Sequence, residues 1–367
     1  VDINSALTAM RDPFGVPFFP WVFQLLLVLT FALHIIFVNL VIGGLALAVY
    51  NHYKGGDFNL RLSRALARAS TVNISLAMVL GVAPLLFVQV IYDPFWYVSN
   101  TLSAWWAMAF LLLVVLGFLS AYVFYLKRRQ PGQGFGGCGI LALFFLLVAG
   151  FILSALSLQA LVPDQWLLWY TANGGLATTG SGLYRFEAGR FSHFIVPAFI
   201  NIGIFMMLYA WYFRPRTDVD GKYLDWVAQS GAKLAKVATM VQVLVGFWWL
   251  LALPAELQFM TNPFLWGGAL LGVGLLVGLM KAEVAPERYA LPLALFSLVA
   301  VLGMGSAREV LRMAYLQVFE YSIYDYPTSI DWGSTVLFLG TFVMGLVVIA
   351  YPLAVVFKLG RGTLIKS

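Results

Sequence analysis

An all-α fold, a polytopic membrane bundle of nine transmembrane helices with the N-terminus outside and the C-terminus cytoplasmic, is what this sequence predicts, on three observations. The 367 residues are 62% hydrophobic and 10% charged, where an ordinary soluble domain carries about 25% charged residues. Nine stretches each offer about 20 mainly apolar residues, the length a helix needs to cross the hydrocarbon core. With the loops numbered alternately, the basic residues collect on one side, as the positive-inside rule requires.

The spans run 19–50, 71–92, 104–126, 138–161, 190–213, 234–254, 264–281, 290–312 and 333–357. The first is long enough to tilt or to project beyond the bilayer. The eighth ends among Arg308, Glu309 and Arg312. The inner loops then hold Lys54, Arg61, Arg64 and Arg68, then Lys127, Arg128 and Arg129, then Arg214, Arg216, Lys222, Lys233 and Lys236. Lys281 and Arg288 follow, and Lys358, Arg361 and Lys366 complete the inner set. That is seventeen of the 22 basic residues; the outer side keeps only Arg11, Arg185, Arg190, Arg308 and Arg312. The chain reads as one integral membrane domain, 1–367. Two outer loops have substance: 162–189, rich in Gly, Thr and Ser with an aromatic patch, and 313–332, acidic and rich in tyrosine.

Because its charges are topological, the net +6 is no sign of a nucleic-acid partner. A single cysteine, Cys138, excludes an internal disulfide framework, and no CxxCH exists for covalent haem c. No secretory leader with a cleavage site is evident from Val1. There is no low-complexity segment and no obvious repeat, and the Trp and Tyr residues near span ends fit an aromatic belt. Membrane lipid is the first expected partner.

Three histidines exist. His52, in "AVYNHYKGG", falls at the inner end of the first span beside Lys54 and reads as a solvated interfacial side chain. His34 stands in "FALHIIFVNLVIGG", roughly 22 Å down its helix at 1.5 Å per residue. An ionisable ring in hydrocarbon is costly without a partner and marks a functional candidate. His193, in "GRFSHFIVPAFINIGIF", opens the fifth span one turn after Arg190. Neutral imidazole is a good ligand for haem iron, and a nearby guanidinium suits a propionate. The alternatives are an interfacial histidine bonded to a loop carbonyl at 193, and an interhelical hydrogen bond or a transporter relay at 34. Gly43 and Gly44 follow His34, and Ala198 and Gly203 follow His193; such small residues allow close helix approach or leave room for a flat macrocycle.

Four segments carry a resemblance. "LHIIFVNLVIGGLALAVYNHYKGG" resembles the first helix of the larger, haem-bearing subunit of cytochrome bd oxidases. "NISLAMVLGVAPLLFVQVIYDPFW", "RFSHFIVPAFINIGIFMMLYAWYF" and "STVLFLGTFVMGLVVIAYPLAVVFKLGRG" are similar to that family's second, fifth and last helices, in the same order. The resemblance covers nearly the whole chain and matches the count of nine. It implies b-type haem, one to three groups with their iron, held by His193 and His34 as metal ligands, with Arg190, Arg308, Gln89 and Glu309 at the cofactor sites. It further implies a companion membrane subunit and the cytoplasmic (inner) membrane of a bacterium or archaeon.

The departures shape the functional expectation. Gln89 stands where the family has a glutamate, and an amide supplies no carboxylate for proton delivery. Leu270 or a neighbour replaces a ligating methionine, leaving either Met240 as a substitute ligand by type only or a five-coordinate iron. "MGSAREVLR" keeps the family's Arg as Arg308 but sets Glu309 one place past it. The outer loop where the family oxidises quinol is reduced to "LPAELQFMTNPF", with Glu256 as an echo of an acid there. The preferred reading is a divergent, b-haem electron-transfer subunit of a respiratory-type oxidoreductase complex that lacks the quinol loop. It would exchange electrons with a partner, such as a periplasmic c-type cytochrome, at the acidic outer face; quinone is an open question. The alternatives are a genuine quinol:oxygen oxidase subunit and a haem-free membrane anchor or transporter on the same scaffold.

Overall fold

A computed structural model describes residues 3–127, 136–171, 175–325 and 327–361. The helices are α1 (Ile3–Ala9), α2 (Pro20–Lys54), α3 (Asp57–Ile91), α4 (Asp93–Leu102), α5 (Ala104–Leu126), α6 (Gly136–Gln159) and α7 (Trp166–Tyr170). They continue with α8 (Ala188–Ile195), α9 (Pro197–Phe213), α10 (Gly221–Leu251), α11 (Pro263–Ala282), α12 (Pro286–Gln317) and α13 (Trp332–Gly360). Among the described residues nine helices are long and apolar enough to cross a membrane, α8 and α9 together counting as one. There is no strand among them, only an isolated bridge between Val16 and Thr328.

The sequence marks where these helices begin. Proline stands in the first turn of α2, α4, α9, α11 and α12, where its missing N–H costs nothing. Asp220, Asn262 and Asp331 cap α10, α11 and α13 by accepting from backbone N–H groups, which satisfies donors that a helix start leaves open.

Two spans are longer than their apolar stretches. The second helix starts at Asp57 and not at 71, and the sixth starts at Gly221 and not at 234. Arg61, Arg64 and Arg68, expected in a loop, are therefore helical, as are Lys222 and Lys233. The reason is amphipathic spacing: Leu62, Leu66 and Ala67 are buried on α3, and Tyr223, Leu224, Val227, Ala228 and Ala232 on α10, at the three- and four-residue intervals of a helix face. Arg61 sits over the Tyr223 ring at 4.2 Å and joins the two extensions. The loop predicted at 313–332 is shorter too, since α12 runs to Gln317. The 162–189 loop contains α7, and its residues 172–174 lie outside the described residues, as do Arg128, Arg129 and Lys366. Two short helices, α1 and α4, were not anticipated.

Small residues set the helix spacing. A Cβ added at Gly43 would lie 2.4 Å from the Ala198 carbonyl oxygen, and one at Gly203 2.6 Å from that of Gly231. Gly43 and Gly203 thus serve backbone contact between α2, α9 and α10, while Gly44 faces the Ser70 side chain of α3. Three apolar cores result. One joins α2, α3, α6, α9 and α10 around Leu45, Leu66 and Met206. A second gathers Leu27, Ile91, Phe95, Leu316 and Tyr321 at the end where α2 begins. A third holds α9 to α12 through Met207 and Leu279. At the opposite end, Arg214 pairs with Glu287 and Asp225, and Lys236 with Glu283, tying α9, α10 and α12 together. The hydrogen bonds that Arg214 donates to Glu287 hold its guanidinium above its ordinary range.

Candidate functional site: two imidazoles and an excess of buried cations

His34 lies on α2, about 21 Å from Pro20 along the axis. Its ring rests on Gly81 of α3, where an added Cβ would fall 2.8 Å from Cε1 and 2.9 Å from Nδ1. One turn earlier on α3, the Ala77 carbonyl oxygen lies 2.9 Å from Nδ1. A carbonyl only accepts, so Nδ1 carries the proton and Nε2 keeps its lone pair. Among the described residues nothing hydrogen-bonds Nε2. This is how metal-binding histidines are prepared: one nitrogen donates to a carbonyl, and the other is left basic and aimed.

His193 lies on α8 against α10. The Gln242 amide nitrogen donates to its Nδ1 at 3.0 Å and to its backbone carbonyl at 3.1 Å. Trp249 packs its ring at 5.0 Å, and Gly246 leaves the space beside Cε1. Gln242, Gly246 and Trp249 are spaced four and three residues apart and so form one stripe of α10. Met240, two residues before Gln242, is about 200° around the helix from it at 100° per residue, and it is 43% exposed. The proposed substitute ligand therefore points away from His193. Leu270 faces outward on α11, 71% exposed.

The helices that carry the two imidazoles meet in an aromatic pair. Phe31, one turn from His34, meets Phe194, the neighbour of His193, edge to face at 6.3 Å. The Arg308 guanidinium sits 4.3 Å from the Phe31 ring and 5.9 Å from the Phe194 ring. Its Nε is buried without a hydrogen bond, and among the described residues it has no ion pair. Arg190 is only 7% exposed and likewise has neither hydrogen bond nor ion pair there. The two guanidiniums and that of Arg312 lie within Coulombic range of one another.

The nearby acids are already engaged. Glu187 pairs with Arg185 at 3.3 Å. Glu309, 3% exposed, sits 3.0 Å from Arg312. Its Oε1 accepts from the Tyr92 hydroxyl and from the Gln24 amide at 3.4 Å. Four guanidiniums face two carboxylates, and Arg190 and Arg308 are the two left over. Leaving a buried charge uncompensated costs about 3–5 kcal/mol. Glu309 Oε1 is thus hydrogen-bonded, while Oε2 faces Arg312 as an ion pair with no hydrogen bond among the described residues. Gln89, on α3, is half-buried, about 12 Å beyond Gly81, with no hydrogen bond among the described residues. Glu256 is exposed in the short turn Ala255–Leu257.

The structure thus sets Arg308 over a contact between Phe31, one turn from His34, and Phe194, the neighbour of His193, with Arg190 within Coulombic range of Arg308 and Glu309 paired to Arg312. Sequence reasoning missed Gln242, Gly81 and the Phe31–Phe194 pair. Gln242 was findable: it is an amide in the middle of an apolar span, the same signal that singled out His34. Among the described residues no three His, Cys, Asp or Glu side chains cluster as a metal cage. Compared with known proteins, the chain matches no family model and no curated sequence, so its geometry and its residue patterns carry the functional reading.

Proposed function

We propose that this chain is a membrane-embedded b-haem electron-transfer subunit of a respiratory-type oxidoreductase complex, a divergent relative of the larger cytochrome bd subunit. The observation that carries the reading is the pairing of two intramembrane imidazoles with two buried guanidiniums that lack an anion. A haem answers both needs, with iron for nitrogen and propionates for the cations.

The donor set fits the group in two different ways. His34 is ready as it stands, its Nε2 free and its tautomer held by Ala77. His193 fits after a half-turn of the Gln242 amide, since a donor on Nδ1 places the ring proton on Nε2. Arg190, one turn before His193, takes a carboxylate there; Arg308 takes another and keeps its face on Phe31 and Phe194. When bound, haem supplies a one-electron couple. The chain's own work is to hold the metals, exclude water with the Phe31–Phe194 contact and balance charge through the guanidiniums.

In this reading the acidic loops face the outer side of a bacterial or archaeal cytoplasmic membrane, with the exposed Glu320 and Glu256 available to a basic partner such as a c-type cytochrome, while Asp325 pairs with Arg11 and Asp331 caps α13. Oxygen reduction fits poorly, because Gln89 offers no carboxylate and the quinol loop is a short turn. A dithionite-minus-air spectrum of the purified protein tests the proposal: Soret and alpha bands of haem b are expected, and a flat difference spectrum would remove it.

A further inference from the structure

The two imidazoles differ in who holds the second nitrogen, and the difference singles out Gln242. Its amide nitrogen makes both of its hydrogen bonds to His193, at 3.0 Å to Nδ1 and 3.1 Å to the backbone oxygen. Its Oε1 is buried with no partner, which costs about 1–3 kcal/mol in a low-dielectric site. In this orientation Nδ1 must accept, so the ring hydrogen sits on Nε2 and that nitrogen has no lone pair to give. An amide has nearly the same shape after a half-turn. Turned, and moved off the His193 carbonyl oxygen to which its nitrogen now donates, its oxygen accepts from Nδ1–H, and Nε2 becomes free to act as a ligand.

We infer that Gln242 is the positioning residue of His193, a two-position amide that donates to Nδ1 in the metal-free chain and accepts from Nδ1–H once His193 binds iron. The inference rests on the proposed function in one respect, that His193 is an iron ligand. The turn moves no net charge: the imidazole proton shifts from Nε2 to Nδ1 through exchange with water, and the amide trades two donated bonds for one accepted bond. His34 has no such freedom, because a backbone carbonyl cannot donate.

The test uses the full chain in detergent or nanodiscs. With only three histidines, nitrogen-15 labelling resolves each ring. In haem-depleted protein His193 should show the Nε2–H tautomer and His34 the Nδ1–H tautomer; in haem-loaded protein both should be protonated at Nδ1. Gln242→Leu should weaken haem retention at the His193 component by roughly tenfold to hundredfold, as losses around metal ligands do. Gln242→Glu should retain the haem and lower its midpoint potential, because an anionic acceptor makes the imidazole more basic. The His34 component, unchanged in both variants, reports that the fold has survived. A metal-free His193 already protonated at Nδ1, or two variants that leave retention and potential as in the parent chain, would overturn the inference alone. Absence of haem from the parent chain, or a spectrum indifferent to His193→Ala, would overturn the proposed function and this inference with it.

Discussion

His34 and His193 are the same side chain in the same kind of apolar span, yet the structure prepares them differently. The ring of His34 is fixed by backbone: a carbonyl that only accepts and a glycine that leaves a slot. The ring of His193 is held by side chains, the Gln242 amide and the Trp249 ring, each of which has other arrangements available. A backbone contact sets a tautomer for good, whereas a side-chain contact leaves it adjustable. The first site should therefore be sensitive to shape and indifferent to substitution of nearby polar groups, and the second the reverse.

The largest expected effect is at Gly81. In Gly81→Val, side-chain atoms would occupy the space of the His34 ring, whose Cε1 lies only 2.8 Å from where a Cβ would stand. Overpacking of that kind costs about 1–3 kcal/mol, and the spectral component assigned to His34 should vanish while that of His193 stays. Equal loss of both components would erase the distinction between the sites.

Next in size are the cations. Arg190→Gln should lower haem retention at the His193 component severalfold and leave His34 nearly untouched. Arg308→Gln should shift the midpoint potentials of both components downward, since it removes a positive charge beside both Phe31, one turn from His34, and Phe194, the neighbour of His193. Spectroelectrochemical titration separates these outcomes. A shift confined to one component in Arg308→Gln would mean that the guanidinium belongs to one site only.

Much of this was readable beforehand, and the limits have physical causes. The nine spans follow from apolar length, which is why the boundaries at 104–126 coincide with α5. The α3 and α10 extensions were missed because an amphipathic helix falls below the hydropathy of a span, although its spacing is present in "LRLSRALARA". His34, His193, Arg190 and Arg308 stood out as polar residues in apolar surroundings. The aromatic pair beside Arg308 did not, because no local pattern tells that Phe31 and Phe194, on different helices, share a contact. Met240 looked suitable by chemistry, and only the helical phase against Gln242 shows that it faces elsewhere.

The smallest expected effect lies away from both imidazoles and serves as a control. Asp331 caps α13, and its carboxyl is held below the ordinary carboxylate value by hydrogen bonds from the Ser334 hydroxyl and backbone N–H, with the Gly333 N–H adding to them. A lowered folded value means that the cap is fully present above the unfolded carboxylate range and is lost as pH falls through the lowered value. Protection of the Gly333 and Ser334 amides, measured against their intrinsic exchange at each pH, should fall on acidification below about pH 4, with the haem bands unmoved. Bands that followed the α13 cap would tie the two regions together.

The central claim is that each imidazole meets its own iron, and haem counted per chain in three preparations tests it most directly. Pyridine haemochrome assay on the parent protein, His34→Ala and His193→Ala should give two haems, one and one, with complementary spectral losses. A parent protein without haem, or variants that retain the full complement, would contradict it.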